Sequence, residues 1–156
     1  AIIQLASIRS MRSYHWAAGH KMGKLKTFSL PVRVYFQDTD AGGVVYHASY
    51  VNFMERARTE WLRTHGYSNA GLMKEFGVVF VVRTIKLDYL KPALLDDLLD
   101  VTAQIKDLGR SRLNLVQSVR RGDEVLTEAE VHLVCVSVES FKPVSVPEVL
   151  SEQLKK

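Results

Sequence analysis

The stretch that decides the fold of this chain is Asp38-Thr39-Asp40-Ala41-Gly42-Gly43-Val44-Val45-Tyr46-His47. Before it, apolar residues alternate with other residues, and after it they recur at helical spacing, so it predicts a strand-to-helix junction. The two adjacent glycines allow a tight turn, and they would let a ligand approach the backbone without meeting a Cβ atom. The junction therefore carries a carboxylate and an imidazole on a short, structured loop.

The segment before the junction predicts a strand with one buried face. Over residues 28–36, the side chains expected on that face are Leu30, Val32, Val34 and Phe36. Alternation of this kind is typical of a strand that packs one side on a core. We expect the strand to reach Phe36, directly before the junction.

The segment after the junction predicts a long amphipathic helix over residues 48–64. Its apolar stripe recurs at spacings of three and four, at Tyr50, Phe53, Met54, Ala57 and Trp61. This spacing places the side chains on one face of a helix, and Gly66 is a suitable stop. A shorter helix is expected over residues 68–75, with Ser68 as its N-cap and Gly77 at its end.

Further strands are expected over residues 79–90, 99–106, 113–119 and 125–138, with turns at Gly109 and at Arg121-Gly122-Asp123. In the first of these strands we expect one continuous alternation, with Val79, Ile85 and Tyr89 on the same face. Short links favour an antiparallel meander, whose apolar face the long helix would cover. The predicted fold class is α+β: a five-stranded antiparallel sheet wrapped around a long central helix.

Composition and charge limit the possible functions. The chain has 156 residues and a formal net charge of +4, with 47% hydrophobic and 24% charged residues. Five of its 21 Lys and Arg residues, and none of its 17 Asp and Glu residues, lie in residues 1–26. The remainder is close to neutral, so we expect no basic surface for nucleic acid. No apolar run approaches the ~20 residues of a membrane span.

Residues 1–21 differ from the rest of the chain and are interpreted as a leader or an expression-derived extension, with Met22 as the start. An organelle transit peptide is the alternative, because the segment contains Arg and no acid. Residues 22–156 are predicted to form one domain. The single cysteine, Cys135, lies among valines and is interpreted as core packing. One cysteine suits a reducing compartment, and a cytoplasmic location is expected.

The residue types at the junction suit acyl transfer. The first turn of a helix presents unpaired N–H groups and the positive end of the helix dipole, which can stabilise an oxyanion. The Asp40 carboxylate could act as a nucleophile or activate water. The structural alternative is that Asp40 only shapes a turn, as Asp38 is expected to do, and that His47 is a solvated first-turn residue. A metal site is weakly supported, because these three residues lack the spacing of a ligand set.

Longer runs of the sequence resemble a known family, namely residues 32–50, 55–58, 80–83, 93–97 and 128–131. They are similar to hotdog-fold acyl-CoA thioesterases of the 4-hydroxybenzoyl-CoA thioesterase type, and among these to the bacterial YbgC-like proteins encoded with the Tol–Pal system. The resemblance covers about residues 28–147, and the segment before Met22 has no counterpart in it. It implies a hydrolase with the fold predicted above.

The resemblance implies roles for four residues. Asp40 matches the family's catalytic carboxylate, and His47 matches the helix-start position whose backbone N–H polarises the thioester carbonyl. The YbgC-like members have histidine there, whereas the 4-hydroxybenzoyl-CoA enzymes have an aromatic side chain that does not titrate. A catalytic role for the imidazole is therefore implied by the narrower group alone. Tyr46 and Glu55 are expected to bind substrate, and Glu55 matches an acidic helix position near the acyl pocket. The structural alternative is that Glu55 is an ion-paired helix residue near Arg58.

The resemblance also implies an assembly. Family members form homodimers with a continuous sheet, commonly doubled to homotetramers, with active sites at the subunit interface. The acyl pocket is then expected between subunits, lined by residues such as Tyr46, Tyr50 and Met54. No cofactor or metal is expected, because CoA belongs to the acyl-CoA substrate. Acyl carrier protein is the alternative carrier of the acyl group.

Two other functions compete with hydrolysis of acyl-CoA to free acid and CoA. A non-catalytic hotdog module would bind an acyl carrier, a phospholipid-synthesis enzyme or an envelope-complex partner, but it would have no need of both Asp40 and His47. A hotdog dehydratase would need an acid/base pair beside Cα–Cβ of an acyl thioester, and the loop at residues 38–40 does not resemble its motifs. Hydrolysis is the favoured prediction.

Overall fold

The computed structural model describes residues 27–156, which form five strands and three α-helices. In chain order these are β1 (Phe28–Arg33), α1 (Ser49–Thr64), α2 (Asn69–Phe76), β2 (Val78–Tyr89), β3 (Leu98–Leu108), β4 (Arg112–Arg121), β5 (Glu124–Ser137) and α3 (Glu148–Leu154). The leader predicted over residues 1–21 and the domain start predicted at Met22 lie outside the described residues.

The strands form one antiparallel sheet in the order β1-β3-β4-β5-β2. The predicted five-stranded α+β architecture is confirmed, as are the β3–β4 and β4–β5 hairpins. The prediction of a continuous meander is wrong for one link, because β2 pairs with β5 rather than with β3. Turn residues set a hairpin locally, whereas this pairing depends on contacts between segments far apart in the sequence.

The first strand is shorter than predicted. β1 ends at Arg33, and Phe36 begins a 3₁₀ turn at Phe36–Asp38 in which the Phe36 side chain is 81% exposed. The turn closes through a hydrogen bond of 2.9 Å from Asp38 N to the Tyr35 carbonyl. The prediction that Phe36 lies on the buried face is therefore wrong, because the loop begins before the apolar alternation ends.

β2 contains an irregularity. Its register against β5 shifts between Val82 and Thr84, which makes Arg83 an extra residue in the ladder. A shift by one residue turns the following side chains to the other face of the sheet. The expectation of one alternation from Val79 to Tyr89 is therefore wrong. Side chains from before and after the register shift pack against the core, namely Phe80, Ile85, Leu87 and Tyr89.

α1 is the central helix of the fold. It spans 16 residues and packs against β1, β3 and β4. Its buried residues are Ser49, Tyr50, Phe53, Met54, Ala57, Arg58, Trp61 and Leu62. The predicted helix and its apolar stripe are confirmed. α2 is confirmed as well: Ser68 accepts a hydrogen bond from Gly71 N, and Gly77 ends the helix with a left-handed φ of 64°.

α3 is an element that the sequence pattern does not reveal. Its Leu150 and Leu154 side chains are buried in the core. Two leucines one helical turn apart are too few to define a helical period in the sequence. Cys135 is buried in the core as predicted, and burial raises the pKa of its thiol to about 11. None of the helices within residues 27–156 combines the length and apolar character that a membrane crossing needs.

Candidate active site

The junction loop closes into a tight turn around Asp40. The amide of Gly43 donates to the Asp40 carbonyl at 3.0 Å, and the amide of Gly42 donates to Asp40 Oδ1 at 2.7 Å. Gly43 has a φ of 76°, which a residue with a Cβ atom adopts only at a cost. The loop itself therefore holds one carboxylate oxygen, while no described residue donates a hydrogen bond to Asp40 Oδ2.

Asp38 shapes the loop, as predicted. Its Oδ2 accepts a hydrogen bond from Tyr35 N at 2.8 Å. Its backbone carbonyl accepts from Tyr46 N at 2.8 Å and from Ser49 Oγ at 3.3 Å. Because Ser49 is the first residue of α1, Asp38 ties the loop to the start of the helix.

The connection between β2 and β3 also supports the loop. Ala93 is fully buried there; its carbonyl accepts from Val45 N at 2.9 Å, and its amide donates to the Tyr50 hydroxyl at 2.9 Å. One residue thus joins the loop to the core of α1. Tyr50 and Met54, which were expected to line an acyl pocket, are 0% and 1% exposed in this chain. They are core residues here.

Four charged groups hold the same connection. Arg121 donates to Asp97 and to Glu124, each at 2.6 Å, and Lys91 lies 3.2 Å from Glu124. The hydrogen bonds to Asp97 and Glu124 raise the pKa of Arg121. The hydrogen bonds from Lys91 and Arg121 lower the pKa of Glu124. These pairs brace the segment that carries Ala93.

The start of α1 presents unpaired amides beside the loop. The amides of Tyr46 and Ser49 donate to backbone carbonyls. Among the described residues, none accepts a hydrogen bond from the amide of His47 or Ala48. Unpaired N–H groups are the normal condition of the first turn of a helix, where the positive end of the dipole also lies. This end of α1 can therefore receive an anionic oxygen.

The side chains of Tyr46 and His47 lie together at this helix start. Their ring centroids are 4.5 Å apart, and Tyr46 is 43% exposed. Tyr89 approaches from the end of β2 and donates its hydroxyl hydrogen to the His47 carbonyl at 2.6 Å. Burial raises the pKa of that hydroxyl. The fold thus brings Asp40, Tyr46 and His47 to one junction, although no hydrogen bond joins Asp40 to His47 within residues 27–156. Their catalytic and binding roles stay predictions.

Glu55 lies farther along α1, about 12 Å from His47 at 1.5 Å per residue. Its carboxylate forms a salt bridge with Arg58, which is 7% exposed and donates to Gln117 Oε1 at 2.9 Å. Gln117 Nε2 donates in turn to the Met54 carbonyl at 3.1 Å. Within one chain Glu55 is an ion-paired helix residue, and its substrate-binding role stays a prediction.

The sequence did not single out Tyr89 or Ala93 as parts of this site. The sequence shows only that Tyr89 lies near the end of the strand predicted over residues 79–90, shortly before Pro92. That position does not indicate a contact with the junction. The partner of Tyr89, His47, is 42 residues away in the sequence. Only the tertiary structure brings the hydroxyl to the start of the helix.

A cleft of about 520 Å³ opens at the other end of α1, where Phe28, Trp61, His65 and Leu154 contribute to its walls. No carboxylate side chain of the described residues lines it, and it lies most of the length of α1 away from His47, so it is not part of the junction. Within the described part of the chain, no three His, Cys, Asp or Glu side chains are grouped as a metal site.

The sequence of this chain is similar to known proteins over most of its length. The family model of the thioesterase-like superfamily matches residues 34–154. The chain is 46% identical over 120 residues to the acyl-CoA thioesterase YbgC of Haemophilus influenzae, covering 77% of this chain and 88% of that protein. It is 47% identical over 129 residues to the acyl-CoA thioester hydrolase YbgC of Escherichia coli, covering 82% of this chain and 96% of that protein.

Solved structures agree with the sequence comparison. The crystal structure of a probable thioesterase from Bartonella henselae is 35% identical, covers 78% of this chain and all of its own, and superposes with a TM-score of 0.75. This likeness confirms the predicted hotdog fold. The matched region includes the junction loop, α1 and the sheet from β2 to β5. The chain therefore belongs to the thioesterase-like superfamily and, within it, to the YbgC acyl-CoA thioesterases.

Proposed function

We propose that this protein hydrolyses the thioester bond of acyl-CoA and releases the free acid and CoA. The observation that carries the proposal is that a carboxylate and a helix start meet at one junction. Among the described residues, one oxygen of the carboxylate and two amides of the helix start have no hydrogen-bond partner. Asp40 supplies the carboxylate, and His47 supplies one of the amides. The YbgC relatives are named acyl-CoA thioesterases, which supports the substrate class.

Asp40 acts by one of two routes. As a general base, it takes a proton from water, and the hydroxide formed attacks the thioester carbon. The C–S bond then breaks, and the CoA thiolate takes the proton from Asp40. As a nucleophile, the carboxylate attacks directly, releases the thiolate and forms an anhydride that water then hydrolyses. Label found in Asp40 after single-turnover hydrolysis in heavy-oxygen water would demonstrate the nucleophilic route, because only an anhydride whose Asp40 carbonyl is attacked by water can leave it there.

In both routes the carbonyl oxygen becomes an oxyanion, which the amide of His47 stabilises. One donor of this kind contributes about 3 kcal/mol of transition-state stabilisation. The positive end of the α1 dipole acts in the same direction. The imidazole of His47 is exposed beside the Tyr46 ring, where it can orient water or the substrate. No metal or further cofactor takes part in this scheme.

We further propose that a second copy of this chain completes the acyl pocket, in a homodimer or homotetramer. Large apolar side chains are exposed near the loop, including Phe36 at 81% and Leu94 at 46%. β2 is an edge strand of the sheet, and such an edge can pair with another strand. Tyr46 and Glu55 would then contact the substrate at this interface. Light scattering of the purified protein measures the assembly, and a monomer at assay concentration would contradict it.

The function is tested by turnover of a panel of acyl-CoA thioesters, from short to long acyl chains, with release of free thiol as the signal. Acylated acyl carrier protein is assayed in parallel, because it is the alternative substrate. Hydrolysis of at least one acyl-CoA supports the proposal. Binding of every thioester without turnover would contradict it and favour the non-catalytic module. Turnover of the carrier protein alone would contradict the proposed carrier.

A further inference from the structure

We infer that Tyr89 is a positioning residue for the reaction: its hydroxyl fixes the peptide group between His47 and Ala48, so that the Ala48 N–H serves as a second oxyanion donor beside that of His47. The inference deepens the proposed function and rests on it. Tyr89 touches neither the substrate nor the reacting atoms in this scheme, and it acts through the backbone.

The hydroxyl of Tyr89 binds the carbonyl of the residue that precedes Ala48, the N-cap of α1. It donates to the His47 carbonyl oxygen at 2.6 Å. The amide of Val51 donates to the Ala48 carbonyl, at 3.2 Å. A side chain from β2 therefore fixes a carbonyl that the first turn of α1 leaves open.

Fixing this carbonyl also fixes the N–H group of Ala48. The peptide bonds of the described chain are trans and planar, so the carbonyl and the N–H of one peptide group point in opposite directions. The carbonyl is held by Tyr89, and no described residue accepts from the Ala48 amide. A hydrogen bond to the carbonyl also polarises the peptide group and makes its N–H a stronger donor.

Tyr89 is itself held rigidly by the core. Its ring packs edge-on against Tyr50, with centroids 5.4 Å apart and planes at 75°. Tyr50 is fully buried and accepts a hydrogen bond from Ala93 N. The ring of Tyr89 thus packs on Tyr50, which is bonded to Ala93, the residue that supports the junction loop. A preorganised donor stabilises a developing charge without reorganisation at the moment of reaction.

The test is Tyr89→Phe, which removes the hydroxyl and keeps the ring. We expect kcat for the preferred acyl-CoA to fall about tenfold, equivalent to about 1.4 kcal/mol, with KM nearly unchanged. We also expect the amide ¹⁵N resonance of Ala48 to shift, because this resonance responds to a hydrogen bond at the preceding carbonyl. The matched control is Tyr67→Phe; Tyr67 packs against Phe76 and should change neither quantity.

The outcomes separate this inference from the proposed function. An active parent enzyme whose Tyr89→Phe variant keeps its kcat would overturn the inference and leave the thioesterase activity standing. A fall in kcat with an unmoved Ala48 resonance would overturn it as well, because the hydroxyl would then act elsewhere. A parent enzyme that hydrolyses no thioester would overturn the proposed function and, with it, the catalytic part of the inference.

Discussion

Two polar regions of α1 differ in how their hydrogen-bonding groups are used. At the start of the helix, the amides of His47 and Ala48 have no acceptor within residues 27–156, and the neighbouring Asp40 is bonded through one oxygen. Farther along, Arg58 is 7% exposed and is paired with Glu55 and Gln117. We call the first region open, because its hydrogen-bonding groups lack partners among the described residues, and the second region closed, because its groups are paired.

The difference separates the polar groups to which we assign catalysis from those that are held by an ion pair and hydrogen bonds. A buried guanidinium must be paired, because an isolated buried charge is far too costly. At the junction the polar groups can stay unpaired, because water reaches them until a substrate arrives. The backbone there is nevertheless fixed, through Asp38 on one side and Ala93 on the other. Fixed but unpaired donors are what stabilisation of an oxyanion requires.

The largest effect that separates the two regions is expected from Asp40→Asn. Asparagine keeps an oxygen for the Gly42 amide, so the loop should survive, but it cannot take a proton or attack a thioester. We expect kcat to fall by about 10²–10⁴-fold, the range for loss of general-base catalysis, with the fold and acyl-CoA binding retained. The matched control is Asp38→Asn, which preserves an acceptor for Tyr35 N and should keep most activity. Equal losses in both variants would mean that the loop's shape, rather than the Asp40 carboxylate, is what matters.

The closed region is tested by Arg58→Ala. This change leaves the buried Gln117 carbonyl oxygen without its donor and removes the partner of Glu55. We expect the free energy of unfolding to fall by about 2–3 kcal/mol, most of it from Gln117, because the Glu55 side chain is 57% exposed and contributes little through a screened pair. Urea denaturation measures the loss.

Arg56→Ala is the control for that measurement, because Arg56 is an exposed residue of the same helix and should change stability by less than about 0.5 kcal/mol. The folded Arg58→Ala enzyme should retain its kcat at low temperature. A stable Arg58→Ala variant whose kcat is as low as that of Asp40→Asn would contradict this, because Arg58 would then contribute to the reaction rather than to stability.

A smaller effect is expected from His47→Ala. The variant keeps the backbone amide, the carbonyl bound by Tyr89 and the position of the helix start. We expect kcat to fall by about tenfold, which corresponds to about 1.4 kcal/mol, from loss of the exposed imidazole. Steady-state kinetics beside Asp40→Asn provide the comparison. A loss as large as that of Asp40→Asn would mean that the ring carries out proton transfer.

Local patterns identify the groups of the open region, whereas in the closed region they show the Glu55–Arg58 spacing but not the contact between Arg58 and Gln117. The turn at residues 40–43, the start of α1 and the Ser68 cap are set by neighbours in the chain, so local patterns predict them. Tyr89 and His47 are 42 residues apart, and Arg58 and Gln117 are 59 apart. Periodicity assigns such residues to strands and helices but does not say which hydroxyl or guanidinium meets which carbonyl. The pairing of β2 with β5 escaped prediction for the same reason.

The smallest effect concerns the charged groups that brace the β2–β3 connection, and it is seen in the pH dependence of stability. Because Lys91 and Arg121 lower the pKa of Glu124 below its ordinary value of 4.5, the carboxylate stabilises the fold above that pH, and the contribution is lost as the pH falls through the lowered pKa. Glu124→Gln should therefore lower Tm slightly at neutral pH and match the parent in strong acid. The control is Glu128→Gln, at an exposed site without an ion pair among the described residues, and it should show no such trend. If Glu124→Gln instead lowered kcat and left Tm unchanged, the ion pairs of the β2–β3 connection would contribute to the reaction at the junction and not to stability.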